Sequence, residues 1–197
     1  MKKLSTYLFL ILFSFQTSSW ADDIRDFQIE GMSVGDSALD YFSKNELENK
    51  FIKIEYPSSD EYLKLEYSSD EFQTYESIDF HVKKNDNKFI MYGVGAGNFF
   101  PNNMKKCELF KKKVVTGIEN ITKDLKTKNY RYYYKKTDDG KSYADIVDYY
   151  FKNGGAIRLW CVNWSKVTEN KRSFTDNFTI SINSKELQYF IKNKAHK

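Results

Sequence analysis

The longest regular pattern in the chain spans residues 101–126, where Met104, Cys107, Phe110, Val114, Ile118, Ile121 and Leu125 recur at spacings of three and four. That period puts all seven on one face of a helix. Pro101 suits a first helical turn, where the N–H it lacks would have no partner in any case. Glu108 with Lys112 and Glu119 with Lys123 stand in the favourable i,i+4 order, and Lys105, Lys106 and Lys113 fill out the wet side.

Elsewhere the period is two. Leu63, Leu65 and Tyr67 alternate with Lys64 and Glu66, Ile78, Phe80 and Val82 with Asp79 and His81, and Phe178, Ile180 and Ile182 with Thr179 and Ser181. Each stretch reads as a strand with one buried face. Asn85-Asp86-Asn87 is turn chemistry, so residues 88–94 should return as a hairpin partner. Residues 130–135, 143–152 and 156–164 are further strands. A polar turn at 138–140 follows the first, and Asn153-Gly154-Gly155 joins the last two as antiparallel neighbours. Asp36 or Ser37 can cap a short helix through Phe42, and Asn183 or Ser184 one through Leu187, Phe190 and Ile191, with residues 195–197 fraying. Hairpins on both sides of a long helix predict an α+β fold: an antiparallel sheet packed on one long central helix, with a short N-terminal helix and a C-terminal helix.

The N-terminus changes the compartment. Lys2 and Lys3 precede an apolar run over 4–15, then polar residues and the small pair Ser19 and Ala21. This is the pattern of a secretory signal peptide, 1–21, cut after Ala21, and the run is too short to span a bilayer. Residues 22–197 then form a single α+β domain with no transmembrane segment, periplasmic or secreted. Two cysteines in an exported chain predict one disulfide, Cys107 to Cys161, bolting the long helix to a strand. A redox pair would want Cys-x-x-Cys spacing instead. If Cys161 points at the helix, Ile157 and Leu159 point the same way, and Trp160 and Val162 face the other side.

Charge narrows the partners. The formal +4 includes Lys2 and Lys3, so the exported part is nearly balanced, and arginine appears only at 25, 131, 158 and 172. Nucleic acid is not expected. Tyr130, Tyr132, Tyr133, Tyr134, Tyr149, Tyr150, Phe151, Trp160 and Trp164 concentrate aromatic area in three neighbouring strands. One set should face away from the helix, where with Lys135, Lys136 and Arg158 it would offer a docking surface for a protein, peptide or glycan of the envelope.

Catalytic signals are sparse. Gly31-Met32-Ser33-Val34-Gly35 matches the G-x-S-x-G elbow, which presents a nucleophilic serine on a strained turn. Gly35-Asp36-Ser37 with Leu39 and Asp40 resembles the first block of the GDS-type esterases and lipases, which implies Ser37 as nucleophile. The family's C-terminal Asp-x-x-His reads here as Asn193 to His196, and its Gly-x-Asn-Asp block is missing. A serine hydrolase using Ser33 or Ser37 is therefore the alternative function, with only His81 and His196 as imidazole bases. Gly93, Gly95 and Gly97 would either aim N–H groups at an anion or mark a strand that another element approaches closely. Asp138-Asp139-Gly140 is a turn signature, not a calcium loop. No cofactor and no metal are expected.

The leader, the 31–42 stretch Gly-Met-Ser-Val-Gly-Asp-Ser-Ala-Leu-Asp-Tyr-Phe, Cys107 on a long helix and Cys161 in a Cys-x-x-Trp-Ser run together resemble a group of small exported bacterial proteins of unknown function. That resemblance implies export and paired cysteines and supplies no activity. The Gly-Met-Ser helix start is also loosely similar to the small outer-membrane-assembly lipoprotein domain, although the chain has no lipid-bearing cysteine near the cut. The expected function is that of a non-catalytic binding module of the cell envelope.

Overall fold

The computed structural model describes residues 23–122 and 125–196; the expected signal peptide lies outside the described residues. Eight strands form one antiparallel sheet: β1 (Ile52–Tyr56), β2 (Ser59–Ser68), β3 (Ser77–Lys83), β4 (Gly93–Phe99), β5 (Lys126–Tyr133), β6 (Tyr143–Tyr150), β7 (Ala156–Asn163) and β8 (Asn177–Asn183). Their order is β1-β2-β3-β4-β8-β7-β6-β5. The chain thus builds two four-stranded meanders and joins them along a single seam, β4 against β8. Among the described residues four α-helices accompany the sheet, α1 (Lys44–Asn49), α2 (Met104–Ile121), α3 (Lys166–Arg172) and α4 (Lys185–Asn193), and the expected short N-terminal helix through Phe42 is a single 3-10 turn, Ala38–Asp40, with a second such turn at Ile24–Asp26. The fold class is α+β.

Period two sorts the strand residues into two faces. The first face carries Leu65, Ile78, Phe80, Val94, Ala96, Phe178, Ile180, Ile182, Ile157, Leu159 and Cys161, all buried in one core. Two layers cover it. α2 lies over β7 and β8, and the segment from Ile24 to Phe51 contributes Phe27, Ile29, Met32, Val34, Ala38 and Leu47. The sheet is therefore the common partner of both layers, and the long helix is the crossover that carries the chain from β4 at the seam to β5 at the far edge.

Helix α2 buries Cys107, Val114 and Ile118, with Met104, Phe110 and Ile121 packed partly against the core, as its spacing predicts. Its limits differ from expectation at both ends. Asn103 is the N-cap, accepting from the Lys106 N–H, so Pro101 sits in the preceding turn. Thr122 is extended, and its hydroxyl donates to the Ile118 carbonyl, so the helix stops before Leu125. Glu108 pairs with Lys111 rather than Lys112. Lys111 stands one turn from Cys107 on the sheet-facing side, and its buried ammonium also donates to the Asp145 carbonyl at 2.9 Å.

Four further elements depart from the sequence reading. The hairpin partner of β3 is the glycine strand itself, because residues before Gly93 are held by the N-terminal segment: the Gly35 N–H donates to Met91 O and the Ala38 N–H to Phe89 O. β1 and α3 carry no clear periodicity, yet they form, β1 as the partner of β2 and α3 behind an N-cap at Ser165. Ala195 does not fray; it is fully buried in the α4 cluster with Tyr62, Leu187 and Phe190.

Cys107 and Cys161 form the expected disulfide, with Cα atoms 6.1 Å apart and both side chains fully buried. It closes 54 positions of sequence, for which the chain-entropy model gives about 4 kcal/mol. The denatured, unreduced protein should contain no titratable thiol. The Cys107→Ala/Cys161→Ala double variant should lose about 4 kcal/mol of unfolding free energy by urea titration; thiols detected without reductant, or an unchanged midpoint, would contradict the bridge.

Candidate functional site

The second face of the sheet is only partly covered. α4 lies across one end, packing Leu187 and Phe190 on Tyr62 with Tyr56 and Tyr92 beside them. Across the middle, no helix among the described residues lies over the seam. There the residues are the smallest available: Gly93, Gly95 and Gly97 on β4, Thr179 and Ser181 on β8. The register runs one row from Glu66 through Asp79, Gly95, Ser181 and Arg158 to Asp148, and the next from Ser77 through Gly97, Thr179, Trp160 and Ile146 to Tyr130.

The glycines make room for neighbours. A Cβ on Gly95 would stand 2.7 Å from Asp79 Oδ2, so the Asp79 carboxyl folds down onto the strand beside it. A Cβ on Gly93 would meet Leu187 at 2.4 Å and Asn183 Oδ1 at 2.5 Å. The strand is thin on this face because a carboxylate and a helix side chain already occupy the space. The anion-binding reading does not carry over, since all three glycines lie inside ladders to both β3 and β8.

On the β1–β3 side, a polar cluster stands against this floor. Lys64 Nζ lies 3.1 Å from Glu66 Oε2 and 3.5 Å from Asp79 Oδ2. His81 Nδ1 is 2.8 Å from the Tyr56 hydroxyl, and His81 Nε2 is 3.6 Å from Asp79 Oδ1. Burial governs the charges here. It pushes Asp79 up, against the pull of the Lys64 ammonium. It also works against a charged Lys64, but Asp79 and Glu66 together hold that pKa above its ordinary value. Burial, reinforced by Lys64, drives His81 down to about 3, so its imidazole is neutral at physiological pH. Burial likewise raises Tyr56, whose hydroxyl shares the 2.8 Å hydrogen bond with Nδ1. At the α4 end, Asn183 donates from Nδ2 to Ser181 Oγ, while its buried Oδ1 accepts no hydrogen bond among the described residues.

On the β5–β7 side stands a second cluster. Arg158 grips the buried Asp148 with two bonds of 2.7 and 2.9 Å, and the hydroxyls of Tyr130 and Tyr150 donate to the same carboxylate. Tyr130, Tyr134, Trp160 and Trp164 pack over Ala144, Ile146 and Val162. The expected outward aromatic set is thus on this face, whereas Tyr149 points to the core and donates to Glu119.

The serines singled out by motif are elsewhere. Ser33 is buried, and its hydroxyl lies 3.3 Å from the Phe27 carbonyl. Ser37 Oγ donates to Lys88 O and accepts from the Leu39 N–H as the cap of a short turn. Both belong to the layer over the first face, while His81 points from the second, and the His196 ring lies against Tyr56. Asp138 binds Arg172 and Lys171, tying the β5–β6 turn to α3. Among the described residues no group of three or more His, Cys, Asp or Glu side chains could hold a metal ion. Lys64, Asp79 and Asp148 were not singled out by sequence, although the alternation does put Lys64 and Asp79 opposite the core face, and Asn183 was named only as a possible cap of α4, a role that Ser184 takes.

Compared with known protein families, curated proteins and solved structures, the chain shows no significant match.

The state of His81 has a pH signature. Its folded pKa lies below its unfolded one, so between about 3 and 6.5 the unfolded chain binds a proton that the folded chain does not, and stability falls as the pH falls through that window. The wild-type urea midpoint should drop more steeply between about pH 7 and about pH 4.5 than that of His81→Gln. Parallel slopes would mean that the folded protein protonates His81.

Proposed function

We propose that the protein is an exported, non-catalytic binding module of the cell envelope, and that its binding surface is the uncovered middle of the second sheet face. The observation that carries this reading is the contrast between the faces. The first is covered by α2 and the N-terminal segment, whereas on the second no helix among the described residues lies over Gly97, Thr179 and Ser181, which stand between two clusters of large side chains held in place by their own hydrogen bonds; Gly93 and Gly95 lie beneath Leu187 and the Asp79 carboxyl. Pre-ordered polar groups beside aromatic surface are what a ligand site needs, because little conformational entropy remains to be lost on binding. The buried disulfide, and the absence of any helix among the described residues long and apolar enough to cross a membrane, fit a chain that works outside the cytoplasm. Serine hydrolysis gains no support, since Ser33 and Ser37 are engaged with backbone groups and lie across the sheet from the neutral imidazole.

Hydroxyl-radical footprinting of the oxidised protein in an envelope extract tests this. Oxidation should fall at Trp160, Tyr150 and Tyr132 and remain unchanged at Tyr41 and Leu39, which are exposed in the layer over the first face. No protection, or protection confined to Tyr41 and Leu39, would contradict the reading.

A further inference from the structure

We propose that β5 is a docking edge for a second copy of this chain, the two copies pairing β5 antiparallel on β5 so that their sheets run on as one.

β5 is the last strand of the sheet, and among the described residues no strand pairs along its far side. Every residue from Lys126 to Tyr133 is exposed except the half-buried Tyr130. Its ladder to β6 runs without a register shift from Lys126 opposite Tyr150 to Tyr133 opposite Tyr143, and the Tyr134 N–H donating to Ser142 O continues it. In an antiparallel pair alternate residues exchange the hydrogen bonds, so the even-numbered residues of β5 turn their backbone groups to β6 and Thr127, Asn129, Arg131 and Tyr133 turn theirs outward. A long regular edge with neither proline nor bulge is a template for another strand. The opposite edge is guarded: β1 has only five residues, and its register shifts between Glu55 and Tyr56.

The side chains select the occupant. Lys126 and Lys128 stand in the first half of β5, while Tyr130, Tyr132, Tyr133 and the adjoining Tyr134 fill the second. Self-pairing about a two-fold axis at Tyr130 sets Asn129 against Arg131 of the second copy and Thr127 against Tyr133 of the second copy, which brings the outward backbone groups together. The same register sets Lys128 against Tyr132 of the second copy and Lys126 against Tyr134 of the second copy. Each ammonium then meets a ring, and no like charges stand opposite. Lys128 already lies over its own Tyr130 ring at 4.7 Å, and Arg131 is held by Asp145 through two bonds of 2.7 Å. A strand whose basic half complements its aromatic half is self-complementary, as a two-fold interface requires.

The layers leave room for this pairing. α2 rests on β7 and β8, so the first face of β5 is uncovered on the side from which the second sheet arrives. Paired positions have the same parity, and the second faces of both copies therefore lie on one side of the joined sheet. The pairing does not depend on what that face binds.

Sedimentation velocity of the oxidised protein, from about 1 µM to about 500 µM, tests this and should show a monomer passing to a discrete dimer. Asn129→Pro removes an outward N–H at the centre of the edge without touching the ladder to β6, and should remain monomeric with a thermal midpoint within a few degrees of wild type. Tyr132→Lys places an ammonium opposite Lys128 of the second copy and should weaken the dimer about tenfold; adding Lys128→Glu to it should restore the pairing. Should the proline variant unfold, that charge exchange still decides. A wild type that stays monomeric throughout, a dimer that survives Asn129→Pro or ignores the exchange, or species that lengthen with concentration, as head-to-tail joining of β5 to β1 would produce, would each overturn the proposal while leaving the binding-face reading untouched.

Discussion

The two halves of this sheet touch along one line, and what can stand on either side of that line decides the rest of the molecule. β4 and β8 pair over Gly93–Phe99 and Asn177–Asn183, and among the described residues no other strand pairing connects the first meander to the second. On one side the seam carries Val94, Ala96, Phe178, Ile180 and Ile182, the apolar floor beneath the helical layer. On the other it carries glycine, threonine and serine, because the Asp79 carboxyl and Leu187 of α4 press against β4 too closely for a side chain. The remaining ties lie on or beside this line: α2 rests on β7 and β8 with its disulfide into β7, and α4 sets Leu187 over Gly93.

A thin seam has an electrostatic consequence. Asp79, Lys64 and His81 lie low against the sheet and are shielded from water by one another and by Tyr56, which is why burial dominates their protonation. Charged groups in such a place persist when they are paired, and the Lys64 ammonium between two carboxylates does this for its side of the floor as Asp148 does for Arg158. The result is a strongly polar surface, two carboxylates to one ammonium on the β1–β3 side and Arg158 with Lys128 beside Asp148 on the other, flanked by aromatic rings. Fold and proposed binding face are in this sense one arrangement, since the glycines let Asp79 and Leu187 lie low against β4 while Gly97, Thr179 and Ser181 stand with no helix among the described residues over them.

Much of the fold was legible because its core follows strict periods. The 3.6 repeat of α2, the alternations of β2, β3 and β8, the glycine turn between β6 and β7 and the disulfide all appear in the structure where the pattern puts them. β1 escaped because it is an edge strand with Ile52 and Ile54 exposed, so no buried face writes an alternation into it. α3 escaped because only Thr168 is buried along it. Lys111 occupies a seam position of α2 by spacing alone, but a lysine there reads as solvent-facing until the Asp145 carbonyl that receives it is known.

The candidate site was harder, since it joins residues from all eight strands and the decisive relations are lateral. Alternation alone told that Lys64, Asp79 and His81 avoid the core, and that Trp160 turns away from the helix. That they face one another across Gly95 and Ser181 depends on the order β3-β4-β8-β7, which requires the second meander to return antiparallel beside the first. The serine motifs pulled the other way, offering local signatures for residues whose hydroxyls serve backbone groups.

The measurement that bears most directly on the seam is a pair of glycine-to-alanine substitutions compared by urea unfolding. At Gly117, on α2, an added methyl meets nothing within 4 Å, so Gly117→Ala should stabilise by about 0.5–1 kcal/mol. At Gly95 the same methyl collides with the Asp79 carboxyl, and Gly95→Ala should destabilise by about 1–3 kcal/mol. A Gly95→Ala protein as stable as the Gly117→Ala protein would mean that nothing leans on the seam there, and would contradict the account of both the fold and the face it leaves open.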